Sequence, residues 1–194
     1  MRKLSRERGF TLYELLITVL VVGVMMTIGV PNMTEFTANN RMTAAANDLH
    51  SAFLLARTEA VRARENVTLC ASSLGDACDG GGFEDGWIVY VDLDGDAAVD
   101  GDDTILREFA PLEGQIVVNA TDVNDDPADS FTFGPTGVGS GAAGELSTAT
   151  FCDARGNEVA AGGWSAARVL IVTPLGRSMI LRDAGQIALQ GGCP

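Results

Sequence analysis

Two hydrophobic periods divide the chain. Residues 15–30 form sixteen consecutive positions without a charge, a run that reads as a helix in an apolar solvent. Beyond Pro31 the small and apolar side chains Met42, Ala45, Ala46, Leu49, Phe53, Ala56 and Ala60 recur at three and four, while Arg41, Asp48, Arg57 and Glu59 fall mostly off that stripe. This spacing predicts an amphipathic helix. Its alanine-rich stripe suits close approach to a sheet, and Pro31 removes one backbone hydrogen bond where the two textures meet, so one helix over residues 10–64 with a kink in its first half is expected. After residue 66 the pattern becomes β-rich runs between glycine and aspartate clusters, with strands expected at 66–71, 86–91, 104–109, 115–119, 130–133, 149–152, 167–173 and 178–182. The clearest pair is the hairpin that turns at Pro174-Leu175-Gly176. The fold class is therefore α+β, a long N-terminal helix on an antiparallel β-rich head, with Gly137 to Gly144 as a flexible spacer loop.

Charge sharpens the division. Residues 1–66 carry 8 basic and 6 acidic side chains, whereas 67–194 carry 5 basic and 20 acidic ones. A net of −15 on the second segment repels phosphate backbones, so nucleic acid is a poor default partner. Arg2, Lys3, Arg6 and Arg8 precede the apolar run. By the positive-inside rule they stay in the cytoplasm and the acidic remainder is exported. Residues 10–30 as a helix extend on the order of 32 Å, the thickness of a bilayer core. A secretory signal peptide has a shorter apolar region, about 7 to 15 residues, and ends in small residues of Ala-x-Ala type, which this run does not. Glu14 is the anomaly, because a carboxylate at membrane depth costs roughly 2.5 to 3.5 kcal/mol. It calls for a cation at the same depth.

The segment Arg8-Gly9-Phe10-Thr11-Leu12-Tyr13-Glu14-Leu15-Leu16 resembles the class III signal of type IV pilins and type II secretion pseudopilins. The resemblance implies cleavage by a membrane-embedded prepilin peptidase between Gly9 and Phe10, N-methylation of Phe10, and an assembly role for Glu14. It also places the family's helix-loosening proline on Pro31. The segments then divide as leader 1–9, transmembrane and filament-core helix 10–30, stalk 31–66 and head 67–194. The new amino group of Phe10 on a neighbouring subunit would supply the cation that Glu14 lacks.

In the head, the spacing of Cys70 and Cys78, the run Gly86-Trp87-Ile88-Val89-Tyr90-Val91-Asp92, Ile105-Leu106-Arg107, Phe151-Cys152-Asp153-Ala154-Arg155-Gly156, Gly176-Arg177 and Cys193 resemble the FimT/FimU minor pilins with a GspH-type head. This implies a structural subunit that primes a type IV pilus at its tip. It also leaves a minor pseudopilin of type II secretion and a FimT-like DNA-binding pilin as alternatives. The implied partners are prepilin peptidase, other major and minor pilins or pseudopilins, and the inner membrane. The expected location is a single-pass inner-membrane protein with a periplasmic head, then the filament.

Four cysteines allow three pairings, and an oxidising compartment favours disulfides over thiols. The pairs expected are Cys70 with Cys78 and Cys152 with Cys193. Asp92, Asp94, Asp96, Asp100 and Asp103 stand at positions one, three, five, nine and twelve of a twelve-residue loop, close to a calcium-binding pattern. However, Ala97 occupies the glycine position and Asp103 is shorter than the usual glutamate. A solvated hairpin loop fits the same residues, so no cofactor is expected apart from calcium at this loop. For DNA, the FimT-like pattern wants Gly-Arg-x-Arg where this chain reads Gly176-Arg177-Ser178-Met179. Arg168, Arg177 and Arg182 are left as a small candidate patch. One histidine, His50, without a nearby cysteine gives no metal site, and no nucleophile with its base is present, so enzyme activity is not expected.

Overall fold

A computed structural model describes residues 9–160 and 162–193. Helix α1 spans Leu12–Ala63 and runs without interruption through residue 31. The basic leader residues Arg2, Lys3, Arg6 and Arg8 lie outside the described residues. The chain forms two compact units, residues up to 38 and from 39 onward.

In the first unit the described large apolar side chains from Phe10 to Phe36 are all exposed. Among the described residues no helix is long and apolar enough to cross a membrane. The uncharged run of sixteen residues rises about 24 Å, against the roughly 30 Å of a hydrocarbon core.

The second unit begins with the remainder of α1, whose stripe of Met42, Ala45, Ala46, Leu49, Ala52, Phe53, Ala56 and Ala60 is buried. Eight strands follow: β1 (Asn66–Ala71), β2 (Trp87–Asp92), β3 (Thr104–Phe109), β4 (Val117–Thr121), β5 (Ser130–Phe133), β6 (Thr148–Cys152), β7 (Trp164–Val172) and β8 (Ser178–Asp183). They make two antiparallel sheets, in the orders β3-β2-β1-β5 and β4-β6-β7-β8. One core joins the helix stripe to Val67, Leu69 and Val89 of the first sheet and to Val118, Phe151 and Leu170 of the second. Small alanines on the stripe allow the bulk to come from the sheets, as when Phe53 meets Phe131 and Phe133 edge-on at 5.4 and 6.2 Å. Gly176 makes the β7–β8 turn with φ 72°. A side chain there would collide with the Phe133 ring, so glycine is required sterically as well as conformationally.

Several elements differ from the sequence expectation. Strand β7 starts three residues early, at Trp164, and β4 is shifted to Val117–Thr121. A short helix α2, Ala184–Leu189, follows β8, capped by the Asp183 side chain accepting from Gln186 N. The glycine-rich tract is tied down: the Glu145 carboxylate accepts from Thr132 N, Ser140 Oγ and Gly141 N. Such convergence holds a loop in one conformation, which corrects its reading as a flexible spacer.

Candidate assembly site

Gly9, Phe10 and Thr11 precede the helix in non-helical conformation, and α1 begins at Leu12. The first amides of a helix have no partner within it. Here Thr11 Oγ1 accepts from Glu14 N at 3.2 Å, and Glu14 Oε2 accepts from both Thr11 N and Thr11 Oγ1 at 3.0 Å. This reciprocal pair is a capping box. The Gly9–Phe10 bond therefore sits in the non-helical segment just ahead of a capped helix. Thr11 was not singled out in the sequence, although a threonine three residues before a glutamate is its signature. Within one protomer Glu14 already serves its own helix start, and among the described residues it meets no cation.

Cys70 is joined to Cys78, and Cys152 to Cys193, with Cα atoms 5.6 and 5.7 Å apart. The first bridge lies with Ile88 and Tyr90 on the face of sheet β3-β2-β1-β5 turned away from the helix. Burial, with the neighbouring Asp92 charge, pushes the Tyr90 phenol up. The second bridge pins the carboxyl end beside Ala167, Val169 and Ile187. Asn157 supports it by accepting from Cys193 N and donating to Cys193 O, at 2.8 and 2.9 Å.

Of the five loop aspartates, Asp92, Asp94 and Asp96 bring carboxylate oxygens within 4.8 Å of one another. Asp92 is fully buried and accepts from Thr68 Oγ1, Gly95 N and Ala97 N. Asp103 is spent on Leu93 N and Asp100 N, closing the loop. Ala97 takes the left-handed conformation with φ 62° where a glycine is usual. Among the described residues Asp100 and Asp103 do not join the three-carboxylate group. The Asp94 charge raises the Asp100 carboxyl, followed by burial and the charges of Asp103 and Asp96. Three carboxylates could hold a divalent cation. The loop as it stands closes on its own amides.

The candidate basic patch is not assembled. Arg168 is 2% exposed, and its guanidinium donates to the carbonyls of Ser165, Ala166 and Ala167 and reaches Thr43 Oγ1 at 3.5 Å. Burial, with Arg182 and Arg155 nearby, lowers its pKa below the usual value. It is an internal strut. Arg182 is exposed and lies over the Trp164 ring at 5.3 Å, and Arg177 is exposed at the β7–β8 turn. His50 is half-buried on α1, with Nδ1 unpaired among the described residues.

Arg155 forms a further strut, donating to both oxygens of Asp153 and to Asn39 Oδ1 at 2.9 Å. Burial alone would raise the Asp153 carboxyl. The hydrogen bonds from Arg155, with the charges of Arg155 and Arg168, outweigh it and hold the group below its ordinary value. A depressed carboxylate stabilises the fold above its unfolded pKa of about 3.9 and loses that contribution as pH falls through the folded value. Asp153→Asn is expected to lower stability at pH 7 by roughly 1.5–3 kcal/mol, the worth of charged hydrogen bonds. It should also flatten the acid side of the stability profile, both read from urea midpoints between pH 7 and 2.5. An unchanged profile would show that this pair carries no pH dependence.

The family profile of type II transport protein GspH matches residues 45–176, more than half of the chain. The chain belongs to the GspH family. The profile of the prokaryotic N-terminal methylation motif matches residues 4–30, across the capped helix start. The type IV major pilin protein PilA of Myxococcus xanthus (strain DK1622) is 38% identical over 48 residues, 25% of this chain and 22% of that protein. A fimbrial protein of Pseudomonas aeruginosa is 28% identical over 65 residues, 34% of this chain and 42% of that one. The chain thus spans less than half the length of these curated relatives. The crystal structure of the type IV minor pilin FimU of P. aeruginosa covers 77% of this chain and 94% of its own, at a TM-score of 0.50 and 21% identity. The two share a fold. This GspH-family chain is a pilin-like protein with a methylation motif, a long helix and a two-sheet disulfide-bonded head.

Proposed function

We propose that the chain is a structural minor pilin of a type IV pilus, cut between Gly9 and Phe10 by prepilin peptidase, methylated on Phe10, and inserted into the initiating tip complex. The observation that carries this reading is the exposed apolar start of α1 within a methylation motif, with Glu14 at its head. An apolar helix of this length needs cover. The inner membrane provides it before assembly, and other pilin helices provide it afterwards. A span must include residues 10–14, which places Glu14 inside lipid and Phe10 at its edge. On assembly the Glu14 carboxylate passes from Thr11 to the cationic amine of Phe10 on a neighbour. The acidic head stays outside, and no catalytic role is assigned to it.

The GspH profile favours one second reading, a minor pseudopilin of type II secretion. DNA capture has less support, because burying Arg168 leaves only Arg177 and Arg182 of the candidate patch on the surface. Shearing surface filaments from cells and blotting for the chain tests the proposal. Recovery with sheared pili is expected. Retention in the cell envelope, with loss of enzyme secretion on deletion, would replace it by the pseudopilin reading.

A further inference from the structure

The outer face of sheet β4-β6-β7-β8 changes character along its strands. Phe151 and Ala149 of β6, like Val118 of β4, point into the core, so strand alternation turns Thr148, Thr150, Asn119 and Thr121 the other way. Register places Asn119 opposite Thr150 and Thr121 opposite Thr148, which sets two pairs of polar side chains side by side. They line a cleft of about 790 Å³, within the range of small-ligand sites, about 300–1,000 Å³. One wall is the carboxyl-terminal stretch 189–192, held by the Cys152–Cys193 bridge. Thr150 is only 3% exposed, and its hydroxyl makes no hydrogen bond among the described residues. The oxygen keeps contact with solvent in this open cleft.

We propose that this cleft is a saccharide-binding site. Hydroxyl and amide groups that each donate and accept are matched by the hydroxyls of a sugar, and the Asp125 and Asp129 side chains stand at the cleft as further acceptors. The two acids disfavour an anionic ligand, and the four polar groups disfavour an apolar one. A peptide cannot join as an extra strand, because the outer edge of β4 is already closed: Val118 N donates to Glu84 Oε2, and Ala128 N donates to Ala120 O. The site is separate from the helix start, so it neither supports nor requires the assembly role.

The test uses the full chain in a non-glycosidic detergent on an array of neutral and amino-sugar oligosaccharides, followed by calorimetric titration of the strongest one. Thr150→Val keeps the shape and removes the hydroxyl, and Asn119→Ala removes the facing amide. Each is expected to weaken binding by about fivefold or more, the worth of one hydrogen bond. Unchanged thermal unfolding would show that the fold survives both changes. Thr104→Val, on the other sheet, should bind like the parent chain. Absence of any retained saccharide, or affinity unchanged in both variants, would overturn the proposal. So would loss of the variants from pili without any saccharide binding, which would assign the cleft to a neighbouring subunit.

Discussion

Glu14→Ala is expected to leave the chain in the membrane and reduce its recovery in sheared filaments by at least about tenfold, the factor that corresponds to 1.4 kcal/mol. Losing the carboxylate removes two things. The helix start loses the acceptor for Thr11 N and Oγ1, but Thr11 Oγ1 still accepts from the backbone amide of residue 14, so the cap is only partly lost. In the assembled state the amine of a neighbouring Phe10 would then be left without a counter-charge in an apolar bundle. Breaking a buried pair by removing one partner costs about 3–5 kcal/mol. The second loss exceeds the first, so assembly should suffer far more than insertion. Thr11→Ala separates the two effects, since it weakens the cap and keeps the carboxylate. It should be incorporated better than Glu14→Ala. Quantitative blots of the membrane and sheared fractions decide this, and equal incorporation of Glu14→Ala and the parent chain would remove the pairing role.

Removing the Cys152–Cys193 bridge by a double serine substitution is expected to cost about 4 kcal/mol, the loop-entropy value for a closure of this size. That corresponds to a fall in melting temperature on the order of 10 °C for a chain of this length. The Cys70–Cys78 bridge closes a separation of 8 residues against 41, so its removal should cost less, about 2.5 kcal/mol. Strands β7 and β8 and the two Asn157 hydrogen bonds remain to hold the carboxyl end. The variant should therefore still fold while unravelling earlier near residues 184–193. Thermal unfolding of both double variants gives the order, and an equal or reversed order would show that strain or residual structure dominates over loop closure.

What was legible in the chain was what depends on local period. The stripe from Met42 to Ala60, the hairpin turning at Gly176 and most strand positions follow from spacing and turn chemistry. The partition into two sheets was not legible, because β1 pairs with β5 across three intervening strands, and such non-local pairing leaves no local mark. Arg168 was misplaced for a related reason. Its type suggests a surface, while three carbonyls and a helix threonine, met only in the folded chain, make a site for it inside. Glu145 likewise orders the glycine-rich loop through amides that sequence cannot place near it. The early start of β7 was not legible because Ser165 and Ala166 are not the β-branched or aromatic residues that mark a strand. At the candidate site Glu14 was visible as a charge in an apolar run. Its partner Thr11 is equally visible, since a threonine three residues ahead of a glutamate is the pattern of a capping box.

Intact mass and amino-terminal fragmentation of the chain isolated from cells test the assembly role most directly. A chain that begins at Phe10, carrying one methyl group on its α-amine, is the expected product. A chain that keeps residues 1–9, with Gly9 still joined to Phe10, would contradict it, because Glu14 would then have no liberated amine to meet on the next subunit.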